Sequence, residues 1–184
     1  MRTVSGFVLT NLLGWRIKGE FPDLKKSITI FAPHTAHIDA LYGKLGFAEI
    51  GIKYLFLSKK ELFFFPMNLV MKKFGSMAVR GVKDKNAIFQ VVEILNNTDE
   101  LHIVISPEGW IRKVPKWNKG FYYMAVKAKV PITITSIDYK KKEMEIKGVI
   151  YELDDYATVI RQINLMYKDV TGKNSQNFSL SSEN

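Results

Sequence analysis

Two short runs of β-branched and aliphatic residues, each followed closely by a proline, constrain the fold of this chain most. The first run, SITIFA at 27–32, ends at Pro33, and the second, LHIVI at 101–105, lies just before Pro107. Runs of this length and composition predict buried strands. Because stretches with helical spacing of apolar residues separate the predicted strands, we predict an α/β fold with a mainly parallel central sheet flanked by helices.

The same periodicity assigns the remaining elements. It predicts further strands at 52–57, 76–79, 130–138 and 143–150, and helices at 38–50, 66–74, 83–95, 120–129 and 154–167. A length of 184 residues suits one domain with one core. We therefore predict a single domain over 1–170 that begins with an interfacial helix, followed by a flexible polar tail over 171–184, where apolar residues are few.

The charge balance predicts anionic partners. Lys and Arg number 27 against 18 Asp and Glu, which gives a formal net charge of +9. Nucleic acid, an acidic membrane and a phosphorylated cofactor all fit this charge. The sequence has no cysteine, which excludes disulfides, cysteine-ligated zinc and a thiol nucleophile. No stretch reaches the roughly 18 uninterrupted apolar residues of a membrane-spanning helix, so we expect a chain that does not span the bilayer.

A histidine and an aspartate follow the first predicted strand. Ligands of open α/β sheets gather at the carboxyl ends of strands, which directs attention to the loops at 33–39 and 106–119. In the first, His34 precedes Asp39 by five positions, or about 140° around a helix, so we place His34 in the loop and Asp39 in the first helical turn. Asp39 could then fix the imidazole tautomer while the other ring nitrogen takes a proton from an acceptor hydroxyl.

Two other interpretations of this pair stay open on spacing alone. His34 can be a loop residue that makes an ordinary helix-capping hydrogen bond, or His34 and His37 can bind a metal together with Asp39 or His102. No G-x-S-x-G nucleophile motif occurs in the sequence. A covalent acyl-enzyme is therefore not expected, and direct attack by an acceptor is the simpler scheme.

Taken together, four segments resemble the sequence blocks of the glycerolipid acyltransferase family typified by lysophosphatidic acid acyltransferases. Residues 34–39 match the family's H-x-x-x-x-D block, and GSMAVR, which ends at Arg80, resembles the second block. SPEG at 106–109 resembles the third, Pro-Glu-Gly-Thr-Arg, and VPI at 130–132 resembles the fourth. The blocks occur in the family's order and cover roughly 27–138, which makes the combination more specific than any one of them.

The resemblance implies a function and a set of site residues. It implies transfer of a fatty acyl group from acyl-CoA or acyl-carrier protein to a hydroxyl of a lysophospholipid-like acceptor, with the thioester as co-substrate and with neither metal nor resident cofactor. By the same resemblance, His34 and Asp39 are the catalytic pair, and Arg80, Glu108 and Gly109 bind the polar head of the acceptor. Residues 130–132 would shape an apolar wall.

One departure from the family pattern concerns the acceptor. After Glu-Gly the family has Thr-Arg, whereas this chain has Trp110 and Ile111, with Arg112 displaced by one position. We expect Arg112 and Lys113 to take over head-group binding, with Lys116 and Lys119 as further substitutes. An acceptor without phosphate, such as an amino-acid lipid, stays an alternative. Glu108 has two possible roles, holding a substrate hydroxyl or bracing its loop through backbone amides.

Two apolar segments predict contact with a membrane surface. Residues 4–13 carry an apolar helical stripe, and 59–67 (KKELFFFPM) places two lysines beside three phenylalanines, a pattern suited to anionic headgroups and acyl chains. Both can instead pack on the core. We expect a cytoplasmic protein, peripheral on the inner face of the membrane. A non-catalytic lipid-binding relative and a basic nucleic-acid-binding domain are the alternatives, and the latter lacks any recognised module signature.

Overall fold

Strands and helices alternate along the chain in a computed structural model that describes residues 4–79 and 85–182. The strands are β1 (Arg16–Lys18), β2 (Lys26–Ala32), β3 (Tyr54–Lys59), β4 (Ser76–Val79), β5 (Leu101–Ile105), β6 (Ile132–Asp138) and β7 (Glu143–Ile150). The helices are α1 (Val4–Phe7), α2 (Ile38–Ile50), α3 (Met67–Lys73), α4 (Lys85–Asn96), α5 (Gly120–Ala128) and α6 (Tyr156–Tyr167). A π-helical turn, Val8–Leu12, follows α1 directly.

The strands form one seven-stranded sheet in the order β1-β7-β6-β2-β5-β3-β4. The five strands from β6 to β4 in that order are mutually parallel, β7 runs antiparallel to β6, and β1 is parallel to β7. Parallel neighbours require crossover connections, which the helices between them supply. The predicted α/β fold with a mainly parallel sheet is confirmed.

Each face of the sheet carries its own hydrophobic core. Along β2, Ile28 and Ile30 point into a large core that also takes buried residues of α4, α5 and α6. Phe31 points into a second core, where it meets Phe47 of α2 and Leu9 of the N-terminal segment. This alternation is what a strand buried on both faces produces, and it places helices on both sides of the sheet.

Helix α2, which carries Asp39, lies very close to the sheet. A Cβ on Gly46 would lie 2.0 Å from Sδ of Met144, and one on Gly43 would lie 3.0 Å from the Phe31 ring. The absence of side chains at these two positions lets the helix approach the strands. This approach fixes the first turn of α2 beside the carboxyl end of β2.

The N-terminal region differs from the single apolar helix predicted for 4–13. It forms α1 and the π-helical turn, with Leu9 buried and Val4 and Phe7 exposed. It then continues into β1, which was not predicted. Strand β1 has only three residues and is held by pairing with 143–145, so its formation depends on a partner far away in the sequence.

The C-terminal segment, defined as 171–182, packs against the domain instead of forming the flexible tail predicted for 171–184. Asn174 donates to the carbonyl of Thr35 at 2.9 Å, and the buried Ser181 hydroxyl accepts the Trp117 backbone N–H at 3.0 Å. These contacts are hydrogen bonds made by polar side chains. A low apolar content, on which the prediction rested, cannot reveal contacts of that kind.

Candidate active site

His34 lies in the loop between β2 and α2, two residues beyond the carboxyl end of β2. Its side chain is 24% exposed, and its Nδ1 lies 3.4 Å from Oδ2 of Asp39. This separation is longer than an ordinary N–H···O hydrogen bond. Catalytic hydrogen bonds are often long before substrate binds and shorten in the complex. His34 is thus accessible to a reactant while it faces a carboxylate.

Asp39 lies in the first turn of α2 and is fully buried. Its Oδ2 accepts the backbone N–H groups of Thr35 at 2.7 Å and Ala36 at 2.8 Å, and its Oδ1 accepts the hydroxyl of Tyr139. Burial acts to raise the pKa of Asp39, but its contacts with His34, Tyr139 and the Ala36 amide outweigh burial and hold that pKa below its usual range. Asp39 is therefore an oriented carboxylate at neutral pH.

The two alternative interpretations of His34 do not fit this geometry. The N-cap residue of α2 is His37, without a side-chain capping bond, so His34 does not serve as the helix cap. His102 is buried in β5, where its Nδ1 bonds the Ser27 hydroxyl at 2.8 Å. Within 4–79 and 85–182, no group of three or more His, Asp or Glu residues is arranged to hold a metal ion.

Glu108 braces the backbone of His34. Its side chain is buried, and both carboxyl oxygens accept the His34 N–H, at 3.0 and 3.1 Å. Burial raises the pKa of Glu108 to about 8; the His34 amide acts in the opposite direction, and the charge of Asp39 adds to the increase. Of the two roles predicted for Glu108, this geometry matches the bracing role. The head-group contact implied by the family resemblance does not fit a carboxyl this deeply buried.

Gly109 shapes the loop that follows Glu108. Its φ of +70° lies in the left-handed region, and a Cβ there would lie 2.8 Å from Nδ2 of Asn118. Its N–H donates to the Ser106 carbonyl at 3.1 Å. Glycine at this position therefore has a conformational reason in addition to the head-group role that the resemblance implied.

Two cations meet at the ring of Trp110, which is 54% exposed. Nζ of Lys59 lies 3.0 Å from the ring centroid and Cζ of Arg112 lies 5.0 Å from it, both within the range of cation–π contacts. Burial lowers the pKa of Lys59; Glu61 acts against this effect and Arg112 adds to it. Lys113, also predicted to bind the acceptor, is exposed on the same loop. Arg80 lies outside the described residues.

The cationic group of Lys59, Trp110 and Arg112 lies at the same edge of the sheet as His34. Lys59 ends β3, β3 is parallel to β5, and β5 is parallel to β2. Their carboxyl ends therefore face the same way. Lys59 is a candidate that we predicted only as part of a membrane-facing segment, although its position at the end of a strand pointed to this edge.

Residues 130–132 lie at the opposite edge of the sheet. They lead into the amino end of β6, and the Pro131 carbonyl accepts the N–H of Ile28, near the start of β2. The structure therefore does not bring them to His34. The expectation of an apolar wall at 130–132 beside the candidate active site is wrong, because this segment pairs with the start of β2 and begins β6.

Comparisons with known proteins identify a family and a similar fold. A family model described as Acyltransferase matches residues 16–137. The solved structure of the 1-acyl-sn-glycerophosphate (LPA) acyltransferase PlsC from Thermotoga maritima is similar in fold, with a TM-score of 0.55 and 20% identity, over 90% of this chain and 78% of that chain. Among curated proteins, the comparison finds no match.

Proposed function

The chain belongs to the acyltransferase family, and on that premise we propose that it transfers a fatty acyl group from acyl-CoA or acyl-carrier protein to a hydroxyl of a lysophospholipid-like acceptor. The observation that carries the proposal is an accessible imidazole facing a buried, oriented carboxylate at the carboxyl edge of a parallel sheet. The family match extends over the loops that hold both residues.

The proposed reaction is a direct transfer with His34 as general base. His34 removes the proton from the acceptor hydroxyl as its oxygen attacks the thioester carbonyl. The C–S bond of the resulting tetrahedral intermediate breaks, the oxygen ester forms, and the proton on the imidazolium passes to the leaving thiolate. The negative charge of Asp39 stabilises the imidazolium between these steps. The scheme uses no enzyme nucleophile, in keeping with a sequence without cysteine.

The cationic group around Trp110 favours an acceptor with a phosphate head. Arg112 can donate two parallel hydrogen bonds to phosphate oxygens. The ammonium group of Lys59, which lies over the same Trp110 ring as Arg112, adds a second positive charge. The exposed Trp110 ring, where the family has threonine, favours the second candidate, an acceptor without phosphate such as an amino-acid lipid. In that case the indole would stack on the head group in place of a phosphate contact.

We further propose that the protein works while bound to the inner face of the membrane. The described residues include no helix long and apolar enough to span a bilayer. The 62–70 patch exposes the side chains of Leu62, Phe64, Phe65, Met67, Leu69 and Val70. Three exposed lysines flank it, at positions 60, 72 and 73. Apolar side chains bordered by lysines suit insertion among anionic lipids.

Product analysis by mass spectrometry tests the proposed reaction. Purified protein is incubated with acyl-CoA or acyl-carrier protein and a panel of lysolipids that differ only in the head group, with an ornithine-type acceptor included. We expect thiol release and a product heavier by one acyl chain, formed fastest with a phosphate-bearing acceptor. An Arg112→Ala variant should raise KM for that acceptor and leave KM for the donor unchanged.

The other outcomes decide between the remaining functions. Preferred acylation of the ornithine-type acceptor would establish the second candidate. Vesicle binding without any acyl product would overturn the enzymatic proposal in favour of a lipid-binding relative, and tight binding of nucleic acid with no product would favour the basic-domain alternative.

A further inference from the structure

The side chain of Tyr139 reaches the candidate active site from a third loop. Tyr139 follows β6 at the start of the turn into β7, and its hydroxyl donates to Oδ1 of Asp39. It lies 100 positions from Asp39 in the sequence. Oδ2 of Asp39, by contrast, accepts two backbone amides and faces His34. The two carboxylate oxygens of Asp39 thus contact different partners.

The sheet topology explains why this distant residue arrives here. β6 is the parallel neighbour of β2, and Ser136 pairs with Ala32. This pair lies three residues before Tyr139 on one strand and two residues before His34 on the other, and both strands end at the same edge of the sheet. The turn after β6 therefore opens beside the loop that carries His34.

Two aromatic rings and a backbone hydrogen bond fix the position of Tyr139. The buried Trp15 meets it edge-on at 4.9 Å between centroids, and Tyr42 meets it edge-on at 5.9 Å. The Tyr139 backbone N–H donates to the Thr171 carbonyl at 2.9 Å. Trp15 and Tyr42 pack together, with centroids 4.5 Å apart, on one side of the Tyr139 ring. A ring held by these contacts and through its backbone keeps its hydroxyl in one place at little cost in entropy at the moment of reaction.

We propose that Tyr139 is a positioning residue for the acyl transfer, because its hydroxyl holds Oδ1 of Asp39 and thereby keeps Oδ2 directed at Nδ1 of His34. The inference rests on the proposed function. A buried carboxylate oxygen that loses its donor becomes unsatisfied, so Asp39 would turn towards other donors. His34 would then lose the partner that sets its tautomer and orientation.

A substitution that removes only the hydroxyl tests this role. Tyr139→Phe keeps the ring that packs against Trp15 and Tyr42. Loss of a residue that orients a metal ligand typically costs about 10–100-fold in activity. We expect the loss of this orienting hydroxyl to lower kcat by a similar factor, with KM unchanged for both substrates. Tyr42→Phe is the matched control: it removes a hydroxyl from the neighbouring ring of the same cluster and should leave kcat and KM at the wild-type values.

A double variant separates positioning from general support of the fold. If Tyr139 acts through Asp39, Tyr139→Phe should slow the Asp39→Asn enzyme much less than it slows the wild type. An equal loss in both backgrounds would show that the hydroxyl supports the structure without acting through Asp39, and it would overturn the proposal.

Histidine NMR gives a readout that does not depend on activity. The chain has three histidines, so the ring nitrogens of His34 can be followed individually. Tyr139→Phe should shift the His34 ring signals and leave those of His102 in place, while Tyr42→Phe should shift neither. If the wild type transfers no acyl group, the proposed function fails. The NMR measurement still decides whether the Tyr139 hydroxyl orients the His34 ring. Unchanged His34 signals, or an unchanged kcat in an active enzyme, would refute the positioning role.

Discussion

At the scale of single residues, the buried carboxylate of Asp39 faces the imidazole of His34, with Oδ2 3.4 Å from Nδ1. Asp39→Asn keeps the size of the side chain but removes the charge that stabilises the imidazolium in the proposed mechanism. We expect a folded protein whose kcat is lower by at least about 100-fold. In the wrong tautomer, the imidazole nitrogen that faces the acceptor already carries a proton and cannot act as the general base. Thermal unfolding monitored beside steady-state kinetics separates the two effects. Full activity of a folded Asp39→Asn variant would contradict this role.

The raised pKa of the buried Glu108 carboxyl predicts that the stability of the protein depends on pH. This pKa is about 8 in the folded protein against an ordinary value of 4.5. Between these values the folded state keeps a proton that the unfolded state has lost, so the free energy of unfolding falls with rising pH, by up to about 1.4 kcal/mol per unit. Below pH 4.5 and above a pH of about 8, the contribution of Glu108 to the free energy of unfolding no longer changes with pH.

Glu108→Gln should remove this decline. Glutamine resembles the protonated acid, cannot ionise, and still offers an oxygen to the His34 N–H. Denaturant unfolding of both proteins near pH 5 and near pH 8 measures the effect. The wild type should lose more stability than the variant between the two conditions, and parallel losses would show that Glu108 is already ionised in the folded state.

The sequence locates only part of the candidate site. His34 lies in a loop and Asp39 in the helical turn that follows it directly, so a five-residue spacing was enough to bring them together in the prediction. Tyr139 lies between the strands predicted at 130–138 and 143–150, and Lys59, the last residue of β3, falls in the segment predicted to face the membrane. Their proximity depends on strand order, and the order of β6, β2, β5 and β3 is set by long-range pairing that no local pattern encodes.

At the scale of elements, the C-terminal segment supports the loop that carries His34. Nδ2 of Asn174 donates to the Thr35 carbonyl, and its backbone N–H donates to the Thr35 hydroxyl at 3.2 Å. Asn174→Ala should lower stability by about 1 kcal/mol through the lost hydrogen bond and reduce kcat several-fold, because Thr35 supplies an amide to Asp39.

Asn177→Ala is the matched control for this prediction, since it truncates the same residue type three positions further along the same segment. It should leave kcat unchanged. Equal effects of the two substitutions on kcat would mean that the segment stabilises the domain as a whole and has no specific action on the loop.

Local sequence signals explain which elements were predicted well. The bounds predicted for α2 match the structure because apolar spacing ends at Gly51, whose φ of +82° gives the left-handed C-cap that glycine favours. β1 was missed because three residues carry no periodicity and its pairing partner, 143–145, is remote. Ion pairs such as Arg16–Glu143, at 2.9 Å, join the two strands and are equally invisible in local sequence.

At the scale of the whole molecule, the net charge of +9 and the 62–70 patch together predict binding to anionic bilayers. A double variant, Phe64→Ser with Phe65→Ser, should weaken binding to vesicles that contain anionic lipid by at least about tenfold, since burial of one phenylalanine contributes about 2 kcal/mol. Vesicle flotation measures this, and added salt should weaken the remaining binding because exposed lysine contacts are screened.

Phe89→Ser provides the control for the vesicle experiment. Phe89 is also strongly exposed, at 60%, but it lies on α4 outside the patch. Its substitution should leave vesicle binding unchanged. If Phe89→Ser weakens vesicle binding as much as the double variant does, the protein binds vesicles in no defined orientation, and the proposed membrane-binding face is wrong.

Thiol release from an acyl thioester in the presence of a lysolipid tests whether His34 is the base for direct acyl transfer. His34→Ala should reduce the acceptor-dependent rate to the background of the buffer, while His37→Ala, which removes the exposed imidazole three residues away, should keep the wild-type rate. Turnover by a folded His34→Ala protein at the wild-type rate would contradict this role of His34.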